Sequence, residues 1–317
     1  MSEPANQPER ETENGASTSF PPFVMRVRER ISQSVLSLTS GSGPTLDYAN
    51  PPGDPGLFGP DSVCWHVHAD FTSMMLGGMS ALMLQSLHPL ALAGVWDHST
   101  FRTDMPGRLR RTATFIAGTT YGSRADALAL IERVKRIHLG VTGMAPDGRP
   151  YRASDPALLT WVHVAEVSSF LAAHLRYVNP SLSPRDQDRY YAEVAKIATL
   201  LGAAGVPETR EQIADYLMSM RPELEAGPRT REVVRILRDA APTDRALMMK
   251  PAVGLMLSAG VDLLPDWAQA LLGFTTFERL RGVLARPGVR LAAPFIRWAH
   301  VNAVSKRARR RAAAPRD

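Results

Sequence analysis

The sequence predicts an all-α protein built as a single helical domain. Three observations carry that expectation. Apolar residues recur at three- and four-residue spacing through most of the 317-residue chain. Helix-opening residues precede these runs and glycines follow several of them. No stretch alternates apolar with polar residues over a strand's length, and no segment repeats. With 44% hydrophobic residues, the chain has enough apolar material for a sizeable core.

Taken in order, residues 1–20 are polar and acidic and read as a disordered tail. They lack a basic stretch followed by an apolar one, so they do not resemble a signal peptide. Residues 21–59 read as a helix and an irregular arm. "PPFVMRVRERISQSVLSL" (21–38) sets Val24, Val27, Ile31, Val35 and Leu38 on one stripe, and a Gly/Pro-rich connection follows. The helical body spans 60–300 and opens with Asp61 or Ser62 as a cap. Segment 74–96 is long enough to cross a membrane, but Gln85, His88 and Pro89 interrupt it. It is expected to form two core helices meeting at His88-Pro89.

A helix is expected from near Pro106. Another opens at Ser123, with Asp126 three residues on. Its stripe is Ala127, Leu130, Ile131, Val134, Ile137, His138 and Val141, with Glu132 and Arg136 as a pair off that stripe. Helices follow over 155–178, with Pro156 in the first turn, and over 183–207, ending in Gly202 and Gly205. Two more are opened by threonines in "TREQIADYLMSM" and "TREVVRILRDA", and further core helices run from Ala241.

The net charge is +6, and the last 13 residues contribute +5 of it, from Lys306 and five arginines against Asp317. The basic character belongs to the tail, so no specific nucleic-acid-binding face is expected. Residues 301–317 read as a solvated, disordered end, with weak contact to anionic lipid or RNA as the sharper alternative. The single cysteine, Cys64, rules out a disulfide framework and suits a reducing cytoplasm.

Common catalytic motifs such as the P-loop, HExxH and GxSxG are absent. The "HVH" pair, His66 and His68, falls on different faces of a helix and reads as incidental. His138 in "VKRIHLGVTG" interrupts an apolar stripe. It reads either as a core histidine bonded to a carbonyl or carboxylate, or as an axial ligand to haem iron, and spacing alone favours the first. In "RLRRTATF", Arg108, Arg111, Thr112 and Phe115 share a helical face, which suits an anion with an apolar body or a solvated arginine face equally. His88, before a proline, and His163, beside Trp161, read as structural or as cofactor-facing.

Four blocks, "LQSLHPLALAGVWDHSTF", "RLRRTATF", "IHLGVTGMAPDGRPYRASDPALLTWVH" and "YYAEVAKIATLLG", resemble the DUF2236 proteins. That family includes the mycophenolic-acid oxygenase MpaB and the latex-clearing rubber oxygenases. The resemblance covers roughly residues 60–275. It implies a globin-like core holding haem b, with O2 as co-substrate and oxidative cleavage of an isoprenoid double bond. By motif, Arg108 and Thr112 match the family's Arg and Thr, and the iron ligand falls on His138, with His163 and His88 as alternatives. Arg111 stands where rubber oxygenases carry a lysine. The family's haem-side glutamate has no counterpart between Glu29 and Glu132.

These readings combine into a haem-dependent oxygenase of the cytoplasm, peripheral to the membrane at most, acting on a prenyl or lipid-like small molecule. Arg108 and Arg111 would hold a propionate, and Thr112 would add a hydrogen bond. Met74, Met75, Met79 and Met83 would line a substrate tunnel. The alternatives are a non-catalytic haem sensor or carrier, and a cofactor-free helical protein that binds membrane surfaces.

Overall fold

The computed structural model describes residues 46–239, 246–299 and 304–315. The expected N-terminal tail, the helix over 21–38 and the start of the arm lie outside the described residues. Thirteen α-helices form among the described residues, together with two three-residue strands.

The helices are α1 (Val63–His68), α2 (Phe71–Gln85), α3 (Pro89–His98), α4 (Met105–Tyr121), α5 (Arg124–Leu139), α6 (Pro156–Tyr177) and α7 (Pro184–Leu201). Then come α8 (Arg210–Met220), α9 (Pro228–Arg238), α10 (Ala246–Leu263), α11 (Asp266–Leu271), α12 (Thr276–Ala299) and α13 (Val304–Ala313). Short 3₁₀ turns at Thr100–Arg102 and Arg221–Glu223 precede α4 and α9.

The expected caps are present. Ser62 accepts from Trp65 N–H. Ser123 accepts from Asp126 N–H while its hydroxyl donates to the Asp126 carboxylate, closing the start of α5. Gly202 ends α7 at φ 107°, a left-handed conformation that glycine adopts without a Cβ clash.

The helix α9 departs from expectation. Gly227 and Pro228 open it, and Thr230 lies inside, donating its buried hydroxyl to Ser86 O. Glu132 departs too, bonding Lys135 rather than Arg136.

The 74–96 segment does form two helices, α2 and α3, bent by 108° at His88-Pro89. The helix α2 packs along α6 through the core. Gly77 permits this approach, since a Cβ there would lie 2.9 Å from Phe170 and from Ser169 O. Met79, Met83, Leu84, Trp161 and Ala165 meet α10 through Leu257 and Val261. The helix α6 is long and apolar enough to cross a membrane, but most of it is buried inside the fold. Met79 and Met83 are core residues, whereas Met74 and Met75 stay half-buried.

The fold is all-α as expected, and a small hairpin is the one addition to the helices among the described residues. Strands β1 (Thr142–Met144) and β2 (Pro150–Arg152) pair antiparallel and fold over α3. Tyr151 is buried there and donates to Asp97 at 2.7 Å. The Asp147-Gly148 turn was the available signal, with Gly148 at φ 84°.

The basic tail corrects the sequence reading most sharply. Residues 304–313 form α13, and Arg311 is buried. Its guanidinium donates to Asp54 O at 2.9 Å, Gly122 O at 3.0 Å and Tyr48 O at 3.4 Å. A side chain from the C-terminus thus ties the arm to the turn between α4 and α5. A disordered end would leave those three carbonyls without this donor. Arg311→Ala is expected to lower unfolding free energy by about 3 kcal/mol, read in a urea titration. Arg311→Lys should recover little, because an ammonium lacks the planar fork that serves separate carbonyls.

Candidate functional site

The helices α4 and α5 form an antiparallel hairpin joined at Gly122-Ser123. Gly118 lets them approach closely, because a Cβ there would strike Leu130. The hairpin is held by α1, α7, α13 and the Thr100–Arg102 turn. Among the described residues, neither α4 nor α5 packs along α2 or α6. The α4–α5 pair and the α2–α6 pair are therefore two helical layers without an extensive contact between them.

Half-buried side chains lie on both layers. On the hairpin, Phe115, Ile116, Leu130, Val134 and His138 are half-buried. On α2, Met75, Gly78 and Leu82 are half-buried along one stripe. Phe115, Ile116, Val134 and Met75 belong to no core cluster among the described residues. A Cβ added at Gly78 would approach only Phe170, at 3.9 Å.

His138 lies at the far end of the hairpin. Counting equal distances from the turn, at about 1.5 Å per residue, sets it level with Gly107 and Arg108. The expected apolar stripe is only partly internal, since Ala127 and Ile131 are buried whereas Ile137 is exposed. The Nδ1 of His138 is buried without a hydrogen-bond partner. Burial lowers the ring's pKa, so the imidazole is neutral at physiological pH.

Arg108 donates to Ser99 Oγ at 2.8 Å and pairs with no carboxylate among the described residues. Burial and then the neighbouring charge of Arg111 lower its pKa. Both effects would be relieved by an incoming anion. Arg111 is more exposed, bonds Thr100 Oγ1 at 3.0 Å and stands 3.6 Å from Asp104. Thr112 is exposed. The four polar residues read from the motif thus gather at one end of the hairpin, with only Arg108 and His138 turned partly inward.

The alternative ligands sit elsewhere. His88 is buried at the α2–α3 bend, its ring 5.9 Å from that of Trp161, and its Nδ1 is unpaired. His163 is buried on α6 with Nε2 unpaired, and burial pulls its pKa down to about 4. His68 is built into the fold: Nδ1 lies 2.9 Å from Thr120 Oγ1 and Nε2 lies 3.0 Å from the Tyr190 hydroxyl. No cluster of three or more metal-ligating side chains occurs among the described residues.

Glu166 was missed. It lies on α6 one turn after His163, with no salt-bridge or hydrogen-bond partner among the described residues. Burial alone pushes its carboxyl up to about 7. Its side chain is half-buried. The sequence carried one signal, a lone glutamate within "WVHVAEVSSF".

The residues present fit a haem. A neutral histidine with an unpaired buried nitrogen and a cation lacking its anion are the groups a flat apolar plate bearing carboxylates would use. In class, then, this is an all-α helical domain. The chain belongs to the MpaB/rubber oxygenase family: the family pattern described as "ER-bound oxygenase mpaB/B'/Rubber oxygenase, catalytic domain" matches residues 65–298. Membership supports oxygenase activity in general. No curated protein and no solved structure matches the chain.

Proposed function

We propose that this protein is a b-type haem-dependent oxygenase that uses dioxygen to cleave a carbon–carbon double bond in an apolar, isoprenoid or lipid-like small molecule. The observation that carries the reading is His138, a half-buried neutral imidazole with an unpaired Nδ1, level with Arg108 on the hairpin. His138 would ligate the iron and Arg108 would hold a propionate. Bound haem supplies dioxygen binding and activation. In such a cleavage the two oxygen atoms end in two carbonyl groups, so no reductant is consumed.

The chain's own residues set the conditions. Phe115, Ile116, Val134 and Met75 give the substrate an apolar lining and keep water out. Glu166 would hold or release a proton at its carboxyl on the α6 side. Arg111 cannot replace a distal lysine ligand, because a guanidinium stays protonated and has no lone pair to offer.

The test is an absorption spectrum of the purified protein, with and without dithionite and carbon monoxide, followed by oxygen uptake with prenyl alkenes. A Soret band that shifts with carbon monoxide and alkene-dependent oxygen uptake are expected. A protein that stays colourless with added hemin would overturn the reading. Arg108→Ala should weaken hemin retention by about tenfold to a hundredfold, measured by transfer to excess apo-globin. Arg108→Lys should lie between the two.

A further inference from the structure

The helix α12 is amphipathic in the reverse of the usual sense. Its small side chains and two arginines turn inward, and its large apolar side chains turn out. Gly282 lets it close on α10, where a Cβ would lie 2.8 Å from Ser258 O. Ala285, Val289 and Ala293 are buried along the same face. Arg286 makes a two-point bond to Asp262, at 2.8 and 2.7 Å, and Arg297 bonds Asp70 and Tyr177 O. Both aspartates are buried, so rolling the helix over would strand Asp70 and leave Asp262 with Arg176 alone.

The opposite face carries Phe277, Leu280, Leu284, Leu291 and Phe295, which are 68%, 52%, 67%, 72% and 66% exposed. At 100° per residue they form one stripe, about 27 Å long at 1.5 Å per residue. Scattered exposed apolar residues need no explanation, but a continuous stripe on a locked helix does.

We propose that this stripe is a membrane-docking face that lays α12 in the plane of an anionic lipid surface. Charge selects this occupant. Arg281 and Arg290 flank the stripe on either side, are exposed and make no ion pair among the described residues. That is the level at which headgroup phosphates would meet them. Exposed Lys306 and Arg310 follow on α13. Two copies packed face to face would oppose arginine to arginine. The chain's own 21–38 segment carries Arg26, Arg28 and Arg30 against Glu29, so it too is like-charged. The inference does not depend on the haem reading.

The experiment is flotation of the full chain with vesicles of phosphatidylcholine alone or mixed with phosphatidylglycerol. Binding to the mixed vesicles that weakens with salt is expected. Leu284→Asp with Leu291→Asp should weaken it at least about a hundredfold, with helicity by circular dichroism unchanged. Arg281→Glu with Arg290→Glu should abolish the preference for the anionic lipid. A benzophenone side chain placed at position 291 should form lipid adducts. Wild-type protein that ignores both vesicles, or an aspartate variant that still floats, would overturn the proposal. Crosslinks to a second copy or to residues 21–38 would overturn it as well.

Discussion

Replacing His138 by alanine is expected to give a folded protein that no longer holds haem iron. The fold should tolerate the change. His138 makes no hydrogen bond that α5 depends on, its Nδ1 is already unpaired, and it lies in the last turn of the helix. The expected stability change is within about 1 kcal/mol. Haem binding should respond differently, because His138 would supply the proposed bond to the iron. Losing even a residue that merely orients a ligand costs roughly tenfold to a hundredfold in metal affinity, and losing the ligand itself should cost more. The measurement is the Soret band after hemin reconstitution, beside a urea titration.

His163→Ala and His88→Ala are the controls. Both residues are enclosed in the core, so their loss should cost about 1–3 kcal/mol of stability and leave the Soret band in place. A His163→Ala protein that loses the band while His138→Ala keeps it would move the iron to α6.

Glu166→Gln is expected to change how stability varies with pH, measured on the haem-free protein. The unfolded carboxyl titrates near 4.5 and the folded one at about 7. Below pH 4.5 both states are protonated and the group contributes nothing. Between these values the folded state retains a proton that the unfolded state has released, so stability falls as pH rises. Above 7 both states are ionised and the full penalty remains, on the order of 3 kcal/mol. The neutral amide removes that slope. The variant should match wild type at pH 4 and exceed it at pH 8 by about that amount. Parallel stability profiles would show that the carboxyl has water or a cationic partner in solution, and would remove Glu166 from any role in handling protons.

Much of the local architecture was legible. Ser62, Ser123, Ser183 and Thr209 each accept a backbone N–H at a helix start, as a capping residue should. Pro89 broke an apolar run that length alone would have left continuous. Such features depend on neighbours within a turn or two of helix, so the order of residues suffices to read them. The motif residues were also recoverable: Arg108 and His138 do come to one end of one hairpin.

What escaped the sequence depended on distant partners. The composition of the C-terminal run suits disorder, yet Arg311 finds three carbonyls from residues 48, 54 and 122. The stripe through Ile137 has the spacing of a core face, but among the described residues Ile137 is exposed. Phe277, Leu284 and Leu291 have equally good core spacing, and they point outward because Arg286 and Arg297 are held by buried aspartates from α10 and the start of α2.

By itself, then, the sequence determined where helices begin, bend and stop, and which residue types recur at the spacing of this oxygenase family. Only the tertiary structure decided that α4 and α5 pack with α1, α7 and α13, that Glu166 is half-buried without a partner among the described residues, and which face of α12 meets solvent. The physical reason is that periodicity sorts side chains onto faces of a helix. Whether a face is covered, and by what, is a balance of desolvation and pairing set by residues far away in the chain.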